Sequence, residues 1–135
     1  MTDDLQTLCQ KLGYEFGDKA LLRQALTHKS AGPSHYQRLE FLGDRVMGLI
    51  VAETLMARFA RSQEGELTKR FVRLVDQSFL ADVARQLQLD TMVIVGAPER
   101  DQDLPNNPAI LADVVEAIIA ALYCDGGMEA ARGFI

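Results

Sequence analysis

Cysteine, histidine and long apolar runs are all scarce in this 135-residue chain, and basic residues are outnumbered by acidic ones. Its two cysteines, Cys9 and Cys124, stand far apart within apolar segments. That usage excludes a disulfide scaffold and predicts free, buried thiols in a reducing, cytoplasmic setting. The longest apolar run, residues 117–124, is far short of the roughly 20 residues that a membrane span needs, and the N-terminus opens with Asp3 and Asp4 rather than a basic signal region. No membrane partner is therefore expected. The two histidines, His28 and His35, do not follow a glutamate at the three-residue spacing of helical di-iron sites, which argues against that class of centre. With 14 Lys and Arg against 19 Asp and Glu, the net charge of -5 excludes a generic binder of polyanions. Any nucleic acid must be held by a local patch.

What is present reads as one ordinary globular domain. Apolar residues make up 48% and charged residues 24%, close to the average for folded soluble proteins, and the length suits a single core. Leu5, Leu8, Cys9 and Leu12 recur at helical spacing, with Gly13 as a stop. Asp18 can cap a second helix whose stripe is Leu21, Leu22, Ala25 and Leu26; His28 and Lys29 fall at its C-terminal end, where the helix dipole favours them. From residue 36 to about residue 60 no proline intervenes, and Leu39, Leu42, Val46, Leu49, Ile50, Leu55, Met56 and Phe59 keep helical spacing. Phe41, Met47 and Val51 add apolar surface elsewhere, so this longest helix should be central. Gly43 and Gly48 each cost about 1 kcal/mol in a helix interior, tolerable where a backbone or ligand approaches closely.

After a turn at residues 62–65, Leu67, Phe71, Leu74 and Val75 mark a fourth helix whose other face carries Lys69, Arg70 and Arg73, the best basic patch in the chain. Asp76 or Ser78 can cap a fifth helix through Phe79, Leu80, Val83 and Leu87. Residues 91–95 form a short β-prone run with no hairpin partner, predicting a minor extended segment. Residues 96–106 form a polar loop, and Asn107 with Pro108 specifies the start of the next helix. That helix, residues 108–124, is apolar almost all round and should be buried, with Gly126 and Gly127 ending it before a further helix begins at Met128. The predicted architecture is all-α.

Two pairs of acids interrupt the helices predicted to be most central. Glu40 and Asp44 are four residues apart, Asp113 and Glu116 three apart, so each pair shares a helix face. Unpaired carboxylates cost several kcal/mol each to desolvate, and the buried helix contains no lysine, arginine or histidine to neutralise them. If the two faces meet, four acids converge on one point. A divalent cation resolves that conflict, and all-oxygen ligands favour Mg²⁺ or Mn²⁺. Metals so held suit phosphoryl chemistry.

The run Arg38-Leu39-Glu40-Phe41-Leu42-Gly43-Asp44 closely resembles the signature of the ribonuclease III family, double-strand-specific endoribonucleases. Leu26-Thr27-His28-Lys29-Ser30 resembles the family's segment upstream of that signature, and the run from Ile110 through Asp113 and Glu116 to Ala117 resembles its second acidic motif. The resemblance covers nearly the whole chain in the right order and implies a helical catalytic domain over residues 1–135, with its last helix cut short and a long central signature helix. It further implies a homodimer that cleaves double-stranded RNA with Mg²⁺, leaving 5′-phosphate and 3′-hydroxyl ends with a short 3′ overhang, in RNA processing such as rRNA maturation. By the same resemblance Glu40, Asp44, Asp113 and Glu116 are the metal-site acids, with Asp44 and Glu116 closest to the chemistry; Glu64 matches an accessory acid and Phe41 a residue that enters the partner subunit. Gln37 departs from the pattern, since the family more often has glutamate there. The acidic run at residues 99–104 is another departure, ill suited to gripping RNA. The double-stranded RNA-binding domain common in bacterial members is not supplied after Ile135. A non-catalytic RNA-binding or dimerising module with the same fold is the alternative, against which the retention of all four acids speaks.

Overall fold

A computed structural model describes residues 2–98 and 104–135. Among the described residues six helices carry the fold: α1 (Thr2–Leu12), α2 (Lys19–Ala25), α3 (Gln37–Arg58), α4 (Glu64–Leu74), α5 (Gln77–Gln86) and α6 (Pro108–Phe134). The chain is all-α as expected. Among the described residues the extended segment near residue 94 makes only one isolated parallel bridge, Thr27 with Ile94. No helix of the described residues is long and apolar enough to cross a membrane. The acidic run at residues 99–103 lies outside the described residues; Leu104 opens the short 3₁₀ turn that follows it.

Helix α6 is the axis of the packing. Its start is set locally: the Asn107 side chain accepts from the N–H groups of Ala109 (2.9 Å) and Ile110 (3.4 Å), and Pro108 takes the first helical position, where its missing N–H costs nothing. Leu111, Val114, Val115, Ile118, Ile119 and Leu122 are at most 1% exposed, and such burial is worth about 1.5–3 kcal/mol for each large side chain. Helix α3 makes the most extensive contact with α6, followed by α5 and then α2. As expected, the helix is interrupted at the glycine pair, with a break at Gly127 (φ 79°), and a further helical stretch follows to Phe134.

Asp125, just before that break, accepts from Tyr14 O–H (2.7 Å), Gly17 N–H (2.8 Å) and Asp18 N–H (2.9 Å), tying the α1–α2 connection to α6. The Tyr14 hydrogen bond, with those from Gly17 and Asp18, holds its carboxyl below the ordinary range. Asp18 and Asp76 cap α2 and α5 as expected, accepting from Ala20 and Ser78 N–H.

Three local expectations need correction. His28 and Lys29 do not end α2, which stops at Ala25. The bridge hydrogen bonds His28 N–H to Ile94 O and Ile94 N–H to Leu26 O, both 2.8 Å, pull the backbone out of the helix, and His28 caps a 3₁₀ turn, Lys29–Ala31. Glu64 and Gly65 belong to α4 rather than to the preceding turn. Cys9 is buried and free, but Cys124 is free and exposed, because it lies on the outer face of α6.

Candidate active site

The close crossing of α3 and α6 depends on one residue with no side chain. A Cβ on Gly43 would run into the backbone carbonyl of Glu116 and lie 3.3 Å from the N of Ala120, so the two helix backbones meet there. Leu39, Val46, Met47 and Ile50 on α3 seal the contact from the apolar side. Gly48 meets no such need: a Cβ there would touch only the Phe71 ring, at 3.6 Å.

The crossing brings the two acid pairs together. Carboxylate oxygens of Glu40, Asp113 and Glu116 lie within 4.8 Å of one another. Asp113 shares a hydrogen bond with Glu40, and Glu116 shares one with Asp44, so all four acids form one cluster. Burial, then the charge of Glu40 and the hydrogen bond to it, push the Asp113 carboxyl up to about 6. Burial acts more strongly on Glu116, which is 9% exposed; with its hydrogen bond to Asp44 and the charges of Asp44, Glu40 and Asp113, it is pushed up to about 9. Shifts of this direction are the signature of like charges held together away from water.

Little positive charge opposes them. Arg45 pairs with Asp44 (3.3 Å), but both side chains are more than half exposed, so the pair is worth about 0–1 kcal/mol. Its guanidinium lies over the Phe41 ring, 3.8 Å from the centroid, on the outer side of α3. Among the described residues no lysine or arginine forms an ion pair with Glu40, Asp113 or Glu116. The donor set is all oxygen, anionic in excess and close enough to surround a small hard cation, so it fits Mg²⁺ or Mn²⁺.

The other predicted residues lie apart from this cluster. Gln37 is the first residue of α3, exposed, one turn before Glu40. Glu64 is exposed at the start of α4, beside a surface pocket lined by Leu55, Met56 and Phe71. Phe41 projects outward at 60% exposure. Lys69, Arg70 and Arg73 are exposed on α4, where the Arg70 guanidinium stacks on Phe59, 3.7 Å from the ring centroid. One residue at the site went unremarked in the pattern of charges: Tyr36, 5% exposed. Burial and the charges of Asp113 and Glu40 hold its phenol well above its ordinary value. Its spacing of four residues before Glu40 was the available signal.

The ribonuclease-III-like family model matches residues 18–135. The chain belongs to this family. It is 45% identical over 135 residues to ribonuclease 3 of Nitrosococcus oceani, covering 100% of this chain and 58% of that protein. With ribonuclease 3 of Bordetella avium the identity is 47% over 131 residues, 97% of this chain and 52% of the relative. The chain thus spans about half the length of the curated relatives it matches. Its structural counterpart is a nuclease domain: that of ribonuclease III from Campylobacter jejuni superposes with a TM-score of 0.93 at 41% identity, covering 96% of this chain and 92% of that one. The described region of that neighbour includes one involved in dimer formation.

Proposed function

We propose that residues 1–135 are the catalytic domain of a divalent-metal-dependent endoribonuclease that cleaves double-stranded RNA as a homodimer in the cytoplasm. The observation that carries this reading is the meeting of Glu40, Asp44, Asp113 and Glu116 across the α3–α6 crossing, with too few cations around them. Ribonuclease 3 relatives matching nearly the whole chain support the same chemistry.

In this reading Glu40, Asp113 and Glu116 hold Mg²⁺, for which Mn²⁺ can substitute, and Asp44 completes the ring through its hydrogen bond to Glu116. When bound, the ion supplies Lewis acidity and an activated water for phosphodiester hydrolysis. The chain's own part is to fix the ligands. Asp44 and Glu116 stand closest to the scissile phosphate, and Glu64 and Gln37 act as accessory positions around the cleavage site. Hydrolysis then leaves a 5′-phosphate and a 3′-hydroxyl. Phe41, too exposed to serve the core of one subunit, docks into the partner, and two such sites cut the two strands to leave a short 3′ overhang, as in rRNA maturation.

The deciding assay incubates the domain with a long RNA duplex at low salt, with Mg²⁺ and then with EDTA. Short products are expected only with metal. Intact, dimeric protein yielding none would leave a non-catalytic RNA-binding module as the better account.

A further inference from the structure

Among the described residues Arg45 is the one cation that forms an ion pair with the acid cluster. Its Nη1 lies 3.3 Å from Oδ2 of Asp44 and donates to the carbonyl of Phe41 (3.1 Å), one turn back on α3. The guanidinium stacks 3.8 Å from the centroid of the Phe41 ring, which sets its plane without using its donors. Both polar contacts come from Nη1, so Nε and Nη2 donate to no acceptor among the described residues, and the side chain is 59% exposed. An oriented fork of N–H groups thus stands open at the edge of the four acids.

That edge is where an anionic substrate meets repulsion. With one divalent cation in place, four ionised carboxylates still leave negative charge in excess, and the chain as a whole carries -5. A phosphate approaching the cation is favoured only where a positive group receives it. Arg45 is placed to do so. Its pair with Asp44 contributes little, because both side chains are more than half exposed. A guanidinium–phosphate pair is charge-assisted and bidentate, which makes it the stronger contact. A cation taken up by the cluster also competes with Arg45 for the charge of Asp44, and so releases the guanidinium. The distance to cover is short, since the group already touches one of the acids. Lys69, Arg70 and Arg73 on α4 carry charge too, but none forms an ion pair with these acids.

Resting on the reading of the four acids as the metal centre of an RNA-cleaving enzyme, we propose that Arg45 is a substrate-binding residue of that site, its guanidinium exchanging Asp44 for a backbone phosphate of the duplex beside the scissile bond. Phe41 holds the plane of the fork, and Asp44 keeps it at the rim until the cation is bound. The contact is to the backbone and carries no base preference.

Fluorescence anisotropy of a labelled RNA duplex, at high Mg²⁺ and in a Glu116→Gln background that cleaves slowly, reads binding apart from turnover. Adding Arg45→Gln should weaken binding about tenfold and lower the slope of log K against log salt by about one per site. Arg45→Lys keeps the charge and loses the fork, so it should keep the slope and fall between the two in affinity. All are compared at concentrations where sedimentation shows the dimer. With Glu116 restored, Arg45→Gln should bind Mn²⁺, followed by electron paramagnetic resonance, at least as tightly as wild type, because a competing positive charge has gone. Unchanged duplex affinity and salt slope in Arg45→Gln would overturn the role of Arg45, while Mn²⁺ binding by the wild type leaves the metal centre standing. Weaker Mn²⁺ binding in Arg45→Gln would overturn it as well, since Arg45 would then act by holding Asp44. A wild-type protein that binds no Mn²⁺ removes the metal centre and the proposed contact together.

Discussion

Glu116 and Asp113 hold protons that they would release in water, Glu116 up to about pH 9 and Asp113 up to about pH 6. A carboxyl whose folded value is raised binds its proton more tightly folded than unfolded. The stability it contributes is complete below its ordinary values of 3.8 and 4.5 and is lost as pH rises through about 6 and then about 9. In EDTA the thermal midpoint should therefore fall from pH 5 to pH 9.5. Mg²⁺ should restore it most at the alkaline end, where the carboxylates are ionised and repel one another; scanning calorimetry across that range checks both. Glu116→Gln removes the titrating group and should flatten the alkaline part of the slope. The same substitution, like Asp44→Asn, should lower cleavage roughly 100-fold or more, as expected when several kcal/mol of charge stabilisation is withdrawn. Circular dichroism should show unchanged helix content, because amide for acid changes volume little.

Helix α3 has two demands placed on it at once: approach α6 closely enough to join the acids, and remain a helix for 22 residues. Gly43 reconciles them. Gly43→Ala would drive a methyl group into the Glu116 carbonyl, and forced separation of the helices should cost about 3 kcal/mol in urea unfolding, the upper part of the range for overpacked cores. It should also weaken Mn²⁺ binding, since the acid pairs would part with the backbones. Gly48→Ala is the control. Its methyl group has ordinary contact distance to Phe71, and better helix propensity should make it neutral or stabilising by up to about 1 kcal/mol.

The molecule as a whole leaves large apolar side chains facing out, among them Phe41 at 60%, Leu49 at 51% and Met56 at 65% exposure, all on α3. One helix thus turns its acids and Gly43 toward α6 and Phe41 toward solvent, where a second subunit would sit. If Phe41 anchors that interface, Phe41→Ala should weaken the dimer about 30-fold or more, the effect of losing roughly 2 kcal/mol at an interface hot spot. Sedimentation velocity over a concentration series would show the shift. Duplex cleavage should fall in parallel, while Mn²⁺ binding by each subunit persists. A dimer unchanged in Phe41→Ala would move the interface elsewhere.

Apolar spacing and polar caps determined that the chain is all-α, that residues 36–60 and 108–124 form its central helices, and that Asp18 and Asn107 begin helices, because periodicity and caps are properties of neighbours in sequence; between Asp76 and Ser78 the structure chose Asp76. The acidic pairs were legible for the same reason, each within one turn of helix. What neighbours in sequence do not encode is the distance between segments. The joining of Glu40 to Asp113 and of Asp44 to Glu116 exists only because α3 crosses α6 at Gly43, and the two glycines of α3 look alike until that crossing tells them apart. His28 left α2 for a bridge to residue 94, through contacts that span dozens of residues. Helical spacing set the four acids in two rows; tertiary packing made them one site.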